Sequence, residues 1–376
     1  MRKHAEISIA TTELGSEITM PKMKPENITW ELKEHTRAKH LVLERYLKAW
    51  APILGTWNER ILYVDGFAGP GEYKCKTDGS PLIVLKLITG HSRPPKKMTF
   101  LFVEAQKDRC EYLKGKLHNS FPDLATTHPN YKVYCIKDDF EEQANGLLDK
   151  VKSIIPSFWF IDPFGYSDVS MQLLNRISQN DKAEMLFHFM SSHVKRFVEE
   201  KDRDEARTKL YGDNSWSDLK KNDEPRKFVD LFLQKLIQYT KFKYLLDFQL
   251  VTKEGHRYHL VFATKSSKGY AEMKGAMWKA DPVGHFTFNA KHPKTNEDFL
   301  LDVTEIPNLQ QILLQEFSGQ TKKMEEVHDF VLFQTIFVPS SHLKQKTLTP
   351  LLKSKKIEVI GGSSKGFADD CQIRFL

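Results

Sequence analysis

The chain has 376 residues, 40% of them hydrophobic and 28% charged, which is the composition of an ordinary globular protein with room for two or three domains. No apolar run is long enough to span a bilayer and the N-terminus lacks the apolar core of a signal peptide, so the expected location is cytoplasmic. The four cysteines have no paired spacing, which argues against a zinc ribbon or a disulfide scaffold, and the net charge of +7 permits an anionic partner.

The first predicted elements are a tail, a helix and a strand that ends in a glycine-rich turn. Residues 1–27 are polar and lack sustained periodicity, which predicts a flexible tail. Apolar positions at helical spacing predict a long amphipathic helix from about Thr29 to about Pro52 or Gly55. The segment YVDGFAGPG at 63–71 then closes an apolar run with an acid and glycines. This pattern is typical of a buried parallel strand that ends beside a nucleotide-type ligand. The alternative is an ordinary turn, which also uses glycine and proline.

Three more apolar runs end in an acid, and predicted helices separate them. The runs lie at 100–104, 133–139 and 158–162, and the helices at about 81–89, 107–117, 140–153 and 169–178. Alternating strands and helices predict an α/β fold with a doubly wound, mostly parallel sheet. Because parallel strands release their carboxyl ends along one edge, the strand-end acids are expected to line one crevice.

The pattern changes after the fifth strand, which is predicted at 185–189. A charged surface insertion is predicted at about 199–226 and a helix at about 227–239. Two closely spaced strands, 244–251 and 258–264, then predict an antiparallel hairpin. A parallel sheet that ends in such a hairpin is the arrangement of the class I S-adenosylmethionine-dependent methyltransferase fold, and the dehydrogenase version of the sheet lacks it. This expectation is an analogy at the level of the fold.

The C-terminal part reads as a separate unit. Residues 283–309 are interpreted as a connector, and 310–376 combine helical spacing with a strand–loop–strand pattern that predicts a winged helix-turn-helix. One basic face of this unit is predicted to contact the phosphates of DNA or RNA through Lys344, Lys346, Lys353, Lys355, Lys356 and Lys365. The alternative is a solvated face on a domain that docks another protein.

The strand-end residues predict a site for S-adenosylmethionine. Its glycine-rich turn is expected to contribute Asp65, Gly66, Phe67, Gly69 and Gly71, because glycines let the backbone approach a ligand closely. Glu104 stands where a carboxylate grips ribose hydroxyls. Asp138 or Asp139 is predicted to meet the adenine amine, and one of the two is an equally good N-cap for the helix that starts at Phe140.

The turn Asp162-Pro163-Phe164-Gly165 is the predicted catalytic element. Methylation of an exocyclic amine needs an acceptor for its protons and an apolar ring that stacks on the base. Asp162 would supply the first, Pro163 would fix the turn, and Phe164 or Tyr166 would stack on a flipped base. A rigid turn after a strand is the alternative. Two histidines are interpreted as ordinary core or surface residues, His188 and His193.

These segments together resemble the three-Cys-motif partner proteins. The resemblance is carried by YVDGFAGPG (63–71), GSPL (79–82), FVEAQ (102–106), FIDPFG (160–165) and YHLVFATKSSKGYAEMKGAMWKAD (258–281). It covers roughly residues 28–282, and it implies a Rossmann-type, methyltransferase-like domain followed by a winged-helix-like unit. It also implies a partner protein with a three-cysteine motif. The family's motif positions fall here on Asp65, Gly69, Gly71, Glu104 and Asp162.

The leading hypothesis is therefore a methyltransferase that acts on nucleic acid, on an exocyclic amine. One departure supports a second hypothesis. Amine-modifying nucleic-acid methyltransferases commonly carry Asp/Asn-Pro-Pro-Tyr/Phe, whereas this chain has Asp-Pro-Phe-Gly at 162–165. The second hypothesis is a non-catalytic binding module that keeps the cofactor pocket and serves a partner protein. A methyltransferase for small molecules is the third, and the winged-helix-like tail argues against it.

Overall fold

The computed structural model describes residues 28–126, 128–150, 155–165, 168–281, 287–289, 308–362 and 366–376. The predicted tail, most of the predicted connector, Tyr166 and Lys365 lie outside these ranges. The described residues fall into two compact units. The first contains the residues up to Met273 with Phe288 and Asn289, and the second contains those from Lys274 to Thr287 and from Asn308 onward. No helix within these ranges combines the length and the apolar content needed to cross a bilayer.

The first unit is built around one large sheet. Its strands are β1 (Ile61–Asp65), β2 (Met98–Val103), β3 (Tyr131–Ile136), β4 (Ser157–Ile161), β5 (Ala183–Phe189), β6 (Tyr244–Val251), β7 (Arg257–Thr264) and the short β8 (Thr287–Asn289). Their spatial order is β3-β2-β1-β4-β5-β7-β6-β8. The first five strands pair in parallel, whereas β7 is antiparallel to both β5 and β6. The prediction of a doubly wound, mostly parallel sheet that ends in an antiparallel hairpin is confirmed.

Helices cover the sheet and account for the continuous apolar runs. They are α1 (Glu34–Trp57), α2 (Ser80–Thr89), α3 (Lys107–Ser120), α4 (Pro122–Thr126), α5 (Phe140–Lys150), α6 (Met171–Ser178), α7 (Ser191–Arg196), α8 (Asp204–Tyr211), α9 (Pro225–Tyr239) and α10 (Ser267–Ala280). Every residue of β1, β2, β4 and β5 is buried. Strands covered on both faces need apolar side chains on both, which explains why these runs do not alternate.

Two segments of this unit differ from the simplest sequence reading. Helix α1 does not end near Pro52 but continues to Trp57. A proline removes one hydrogen bond of a helix, and the burial of side chains such as Leu43 and Leu47 offsets that loss. The stretch predicted as a surface insertion, 199–226, contains α8, whose Tyr211 is fully buried in the core of the unit.

The second unit joins short helices to a small antiparallel sheet. After α10 it contains α11 (Leu309–Phe317), β9 (Thr321–Lys323), α12 (Met324–Gln334), α13 (Pro339–His342), a π-helical turn (Lys344–Leu348), α14 (Thr349–Lys353), β10 (Ile357–Ile360) and β11 (Gln372–Phe375). The strand order is β10-β11-β9. The predicted strand–loop–strand is present as β10 and β11, and the three-residue β9 is too short and polar for a sequence pattern to reveal. The winged helix-turn-helix stays a prediction.

A buried lysine explains why the second unit includes the end of α10. Lys274 Nζ donates to the carbonyls of Val331 (3.2 Å), Leu332 (2.5 Å) and Thr335 (2.6 Å). These carbonyls lie at the C-terminal end of α12, where backbone acceptors lack partners within the helix. Lys274 therefore joins α10 to the end of α12 through hydrogen bonds from its ammonium to these backbone carbonyls.

Candidate functional site

The carboxyl edge of the parallel strands opens into a cavity of about 240 Å³. Its wall includes the glycine-rich turn after β1, the Asp162 turn after β4, the end of β5, the start of β7 and the N-terminal part of α1. Because β7 runs antiparallel, its first residues lie at the edge where the parallel strands end. A larger cavity of about 930 Å³ lies against α6 and α8, and none of the predicted site residues lines it. The smaller cavity is therefore the candidate site. Of the predicted site residues, those that line it are Phe67, Gly69, Gly71, Asp162, Pro163 and Phe164, whereas Asp65, Gly66, Glu104, Asp138 and Asp139 are not among its lining residues.

The turn after β1 needs its glycines for two separate reasons. Gly69 and Gly71 have φ angles of +61° and +80°, a left-handed conformation that side chains rarely adopt. A Cβ at Gly71 would lie 2.6 Å from Leu113 Cδ1, and one at Gly66 would lie 2.6 Å from the ring of Phe140. The packing of α3 and α5 against the turn thus leaves space for backbone only, and the turn presents main-chain groups to the cavity.

Glu104 is tied to this turn by hydrogen bonds. Its Oε2 accepts from the amide of Gly69 at 3.0 Å and its Oε1 accepts from the amide of Gln106 at 2.8 Å. The side chain is only 4% exposed. A carboxylate has about four lone-pair positions, so Glu104 retains acceptors for two hydroxyl groups of a ligand. The acid predicted for ribose is therefore fixed in place against the glycine turn.

The structure separates the two aspartates that follow β3. Asp139 Oδ1 accepts from the amides of Glu141 (2.8 Å) and Glu142 (3.2 Å), which makes Asp139 the N-cap of α5. Asp138 is half-buried, and its Oδ1 accepts from the amide of Asp139 at 2.9 Å. Of the two residues, Asp138 is the one whose side chain is not committed to the helix, so it remains the candidate for an adenine amine.

Asp65, at the end of β1, is fully buried and lacks a cationic partner in contact. Burial raises the pKa of its carboxyl to about 7, against the opposing effect of hydrogen bonds from Ser80 and from the amide of Phe67. Its Oδ2 has no hydrogen-bond partner in the part of the chain that the structure describes. Asp65 is not among the residues that line the cavity, so its unpaired oxygen lies beneath the glycine turn and not at the cavity wall.

Asp162 has the opposite surroundings. One oxygen, Oδ2, pairs with the ammonium of Lys39 from α1, and Oδ1 lies 2.7 Å from Nδ1 of His188 at the end of β5. Burial alone would raise the pKa of this carboxyl, but Lys39 and His188 hold it well below its usual range. The side chain is 21% exposed and lines the cavity. Asp162 is therefore a carboxylate at neutral pH with both oxygens engaged.

Lys39 and His188 are the site residues that the sequence analysis missed. Lys39 is only 5% exposed although it lies on a helix, and His188, interpreted above as an ordinary core or surface residue, is 6% exposed and lines the cavity. Burial and the nearby Lys39 lower the pKa of His188, against the effect of Asp162, so its imidazole is neutral at pH 7. The Lys39–Asp162–His188 cluster joins a cation, an anion and a neutral base at the strand ends.

An aromatic and cationic surface lies beside the cluster. The Phe164 side chain is 58% exposed, and its ring meets that of Trp30 edge to face with centroids 5.4 Å apart. The Arg109 guanidinium lies 5.0 Å from the Trp30 ring centre and 5.6 Å from the Phe164 ring centre. Pro163 is buried between Asp162 and this surface. An exposed ring with an adjacent guanidinium can stack on a planar ligand.

The predicted phosphate-binding lysines belong to the second compact unit and not to the unit that contains the cavity. All those within the described ranges are exposed, namely Lys344, Lys346, Lys353, Lys355 and Lys356. Lys344 lies 3.3 Å from a carboxylate oxygen of Asp369, an exposed pair. Lys365 lies outside the described residues. Exposed lysines keep their hydration and are free to meet an anionic surface.

Comparisons with known proteins return structures only. No family model matches the chain, and no curated protein matches its sequence. Trm1 from Pyrococcus horikoshii, in complex with S-adenosyl-L-methionine, is 9% identical over 95% of this chain and 94% of that chain, with a TM-score of 0.40.

Two further solved structures are similar to a smaller share of the chain. Spermidine synthase from Thermotoga maritima is 8% identical over 69% of both chains, with a TM-score of 0.35. The O-methyltransferase TomG from Streptomyces achromogenes, in complex with SAM, is 14% identical over 61% of this chain and 79% of that chain, with a TM-score of 0.32. Identities and TM-scores this low do not indicate a shared substrate or a shared reaction.

Proposed function

We propose that the chain is an S-adenosylmethionine-dependent methyltransferase that acts on nucleic acid. One observation carries the proposal: the acid at the end of β2, Glu104, is hydrogen-bonded to Gly69 of the turn after β1. This hydrogen bond lies in a sheet where β7 runs antiparallel between β5 and β6. Ligands of open α/β sheets lie outside the carboxyl ends of the strands, where the order reverses, and here the order reverses between β1 and β4.

The residues of the crevice fit a nucleoside-bearing donor. The backbone of the turn from Gly66 to Gly71 would pass along it, and Glu104 would accept hydrogen bonds from its ribose hydroxyls. Asp138 would accept from the adenine amine. When bound, S-adenosylmethionine supplies a methyl group activated by a sulfonium.

The acceptor side would be formed by the Asp162 turn. The acceptor that we propose is an exocyclic base amine, with the base stacked on exposed Phe164 and the neighbouring Arg109. Both oxygens of Asp162 are engaged by Lys39 and His188, so Asp162 would act with these two residues and not alone. Pro163 would hold the turn that aims Asp162 at the cavity.

The second unit would supply affinity for the nucleic acid. We propose that it is a winged helix-turn-helix whose exposed lysines contact phosphates, which positions a substrate without reading its sequence. Membership of the three-Cys-motif partner family, and association with a partner protein that bears three cysteines, belong to the same proposal and rest on the resemblance of the sequence motifs.

A second candidate function is favoured by one observation. The two oxygens of Asp162 are already paired, and the turn reads Asp-Pro-Phe-Gly. A module that binds the cofactor for a partner protein, without transferring methyl groups, would tolerate this arrangement.

Calorimetry and turnover separate these functions. The wild type is titrated with S-adenosylmethionine and with its demethylated product, and transfer of label from the cofactor is measured on DNA, RNA and protein pools. Glu104→Gln should bind about tenfold more weakly or worse, because a charge-assisted hydrogen bond of about 1.5–3 kcal/mol is lost. The matched control is Glu111→Gln on α3, whose side chain pairs with Lys114 outside the cavity. No binding by the wild type would overturn the cofactor site, and binding without turnover would favour the module.

A charge-matched pair of variants tests the nucleic-acid role. The first replaces Lys344, Lys346, Lys353, Lys355 and Lys356 with glutamine. The second changes five exposed lysines of the first unit in the same way, Lys48, Lys132, Lys201, Lys221 and Lys268. Each lost phosphate contact reduces the slope of log affinity against log salt by about 0.7–0.9. The first variant should have a shallower slope than the second, and equal slopes would favour a protein-docking role for this face.

A further inference from the structure

His188 has the geometry of a base held by a carboxylate. Its Nδ1 lies 2.7 Å from Asp162 Oδ1, and its ring meets the Tyr258 ring edge to face at 5.3 Å, which fixes the imidazole plane. The side chain is 6% exposed and lines the 240 Å³ cavity. Within the described ranges its Nε2 is buried and has no hydrogen-bond partner.

That unpaired nitrogen is costly in a protein without a ligand. A buried polar atom left without a hydrogen-bond partner destabilises the folded protein. Nδ1 approaches Asp162 Oδ1 at 2.7 Å, although outside ordinary hydrogen-bond geometry, so the carboxylate favours the proton of a neutral imidazole on Nδ1. The remaining Nε2 is then an acceptor without a partner among the described residues. The same carboxylate fixes the imidazole tautomer, as a carboxylate does for a histidine that acts as a general base. A buried, unpaired ring nitrogen on a side chain that lines the cavity is a candidate acceptor for a proton of the ligand.

We propose that His188 Nε2 accepts the proton that the acceptor atom loses when it gains its methyl group, with Asp162 as the positioning residue for the imidazole. The inference rests on the proposed function and deepens it. It defines the acceptor as a group with a hydrogen to lose, N–H or O–H, of which an exocyclic amine is one case. Ring nitrogens that carry no hydrogen, and thiolates, need no such base.

The step balances without a further reactant. A bond forms between the acceptor atom and the methyl carbon while the bond from that carbon to the donor sulfur breaks, and its electron pair stays on sulfur as a neutral thioether. The hydrogen of the acceptor atom passes as a proton to His188 Nε2. The positive charge of the donor thus ends on the imidazolium, which lies beside the Asp162 carboxylate and is stabilised by it.

The charges around His188 keep it unprotonated before the reaction. The groups that face it are Lys39 and His35 from α1, Asp162 after β4, and Tyr258 and His259 from β7. Burial, then Lys39, lower the pKa of His188 below 6.5, whereas Asp162 raises it and His259 lowers it. His259 itself pairs with Asp247 at 3.1 Å, on the far side from Asp162.

Two measurements test the proposal together. The rate of methyl transfer is measured against pH, and the imidazole of His188 is titrated by NMR in ¹³C-histidine-labelled protein, assigned with His188→Gln. The acid limb of the wild-type rate should have its midpoint below pH 6.5 and should coincide with the NMR midpoint. His188→Gln should lower kcat by about 10²–10⁴-fold and abolish the limb, with the calorimetric affinity for cofactor unchanged.

The neighbouring charges provide signed checks. Asp162→Asn removes the group that raises the pKa of His188, so the NMR midpoint should fall, and Lys39→Met should move it up. His193→Gln is the matched control, a histidine on α7 that does not line the cavity. It should keep the wild-type kcat and acid limb. If His188→Gln does not fold, His188→Ala with added imidazole replaces it, and rescue of the rate is the expected result.

The outcomes distinguish this inference from the function on which it rests. Turnover by the wild type, with the same kcat and acid limb in His188→Gln, overturns the role of His188 alone. NMR shifts of the wrong sign in Asp162→Asn and Lys39→Met overturn it as well. No transfer by the wild type to any pool, despite cofactor binding, overturns the methyltransferase and this inference together.

Discussion

The ends of β1 and β4 differ in the charge state that they impose on an aspartate. The two strands are neighbours, with Asp65 opposite Phe160 in the register, so Asp65 and Asp162 lie close in the same sheet edge. Burial by itself would raise the pKa of either carboxyl. Among the described residues Asp65 is in contact with hydrogen-bond donors and its pKa rises to about 7. Asp162 is in contact with Lys39 and His188, and its pKa stays well below its usual range.

The difference shows that the sheet edge alone does not determine the ionisation of its acids. Helix α1, which precedes the sheet in the chain, inserts one ammonium at the end of β4 and none at the end of β1. The crevice therefore contains one permanently charged carboxylate and one that titrates near neutrality. Such a division is typical of sites where neighbouring acids have different roles.

Replacing Lys39 should leave Asp162, like Asp65, without an ammonium group in contact. Lys39→Met leaves a carboxylate in a largely enclosed site without its main partner, and we expect a loss of about 2–4 kcal/mol in the free energy of unfolding at pH 7. The loss should shrink as the pH falls, because Asp162 can then take up a proton. Urea denaturation at pH 5 and pH 7 measures both effects.

Two further variants calibrate this result. Lys97 pairs with Glu59 at 2.8 Å, but both side chains are exposed, at 37% and 60%, so Lys97→Met should cost about 0–0.5 kcal/mol. Lys39→Met combined with Asp162→Asn should recover part of the stability, because no buried charge is then left unpaired. Equal losses for Lys39→Met and Lys97→Met would contradict the contrast between the two strand ends.

Asp65 should make stability depend on pH in the opposite sense to an ordinary aspartate. Its folded pKa of about 7 lies above the ordinary aspartate pKa of 3.8, so the folded state binds more protons between these two pH values. Its contribution is fully present below about pH 4 and is lost as the pH rises to about 7. Asp65→Asn does not titrate, so it should be about 1–3 kcal/mol more stable than the wild type at pH 8 and nearly equal to it at pH 4.

Denaturation curves of the two proteins at several pH values measure this difference. Asp162→Asn is the informative control, because a carboxylate with a lowered pKa contributes stability above its unfolded pKa and loses it as the pH falls. Its difference from the wild type should therefore have the opposite sign at pH 8. A stability difference for Asp65→Asn that does not change between pH 4 and pH 8 would show that Asp65 is ionised throughout.

The sheet was predictable because burial on both faces leaves a local trace. The apolar runs at β1, β2, β4 and β5 each stand between polar turns, and the acids that close the runs of β1, β2 and β4 mark the carboxyl edge. The hairpin of β6 and β7 was equally visible from its short turn. The strands β8 and β9 were missed, because three residues carry too little pattern to distinguish a strand from a loop.

The site was predictable only where its residues follow strands. Glu104 and Asp162 were named from position, but their partners were not. Lys39 lies 123 residues before Asp162, and a lysine on an amphipathic helix has the same appearance in sequence whether it faces solvent or a carboxylate. His188 lies within a buried run, where core histidines are common. Which of Asp138 and Asp139 caps α5 likewise depends on the positions of backbone amides, which a sequence pattern does not show.

The reversed direction of β7 has a consequence for how this architecture can change. The turn between β6 and β7, residues 252–256, joins antiparallel neighbours and lies at the carboxyl edge beside the crevice. Lys253 and Glu254 of this turn border a small depression with Lys33 and His35 at the start of α1. Residues inserted there would extend one rim of the crevice without altering any helical crossover or the register of any parallel strand. Insertions in this turn would therefore change what the crevice admits, while the glycine-rich turn after β1, on the opposite half of the sheet, keeps its form.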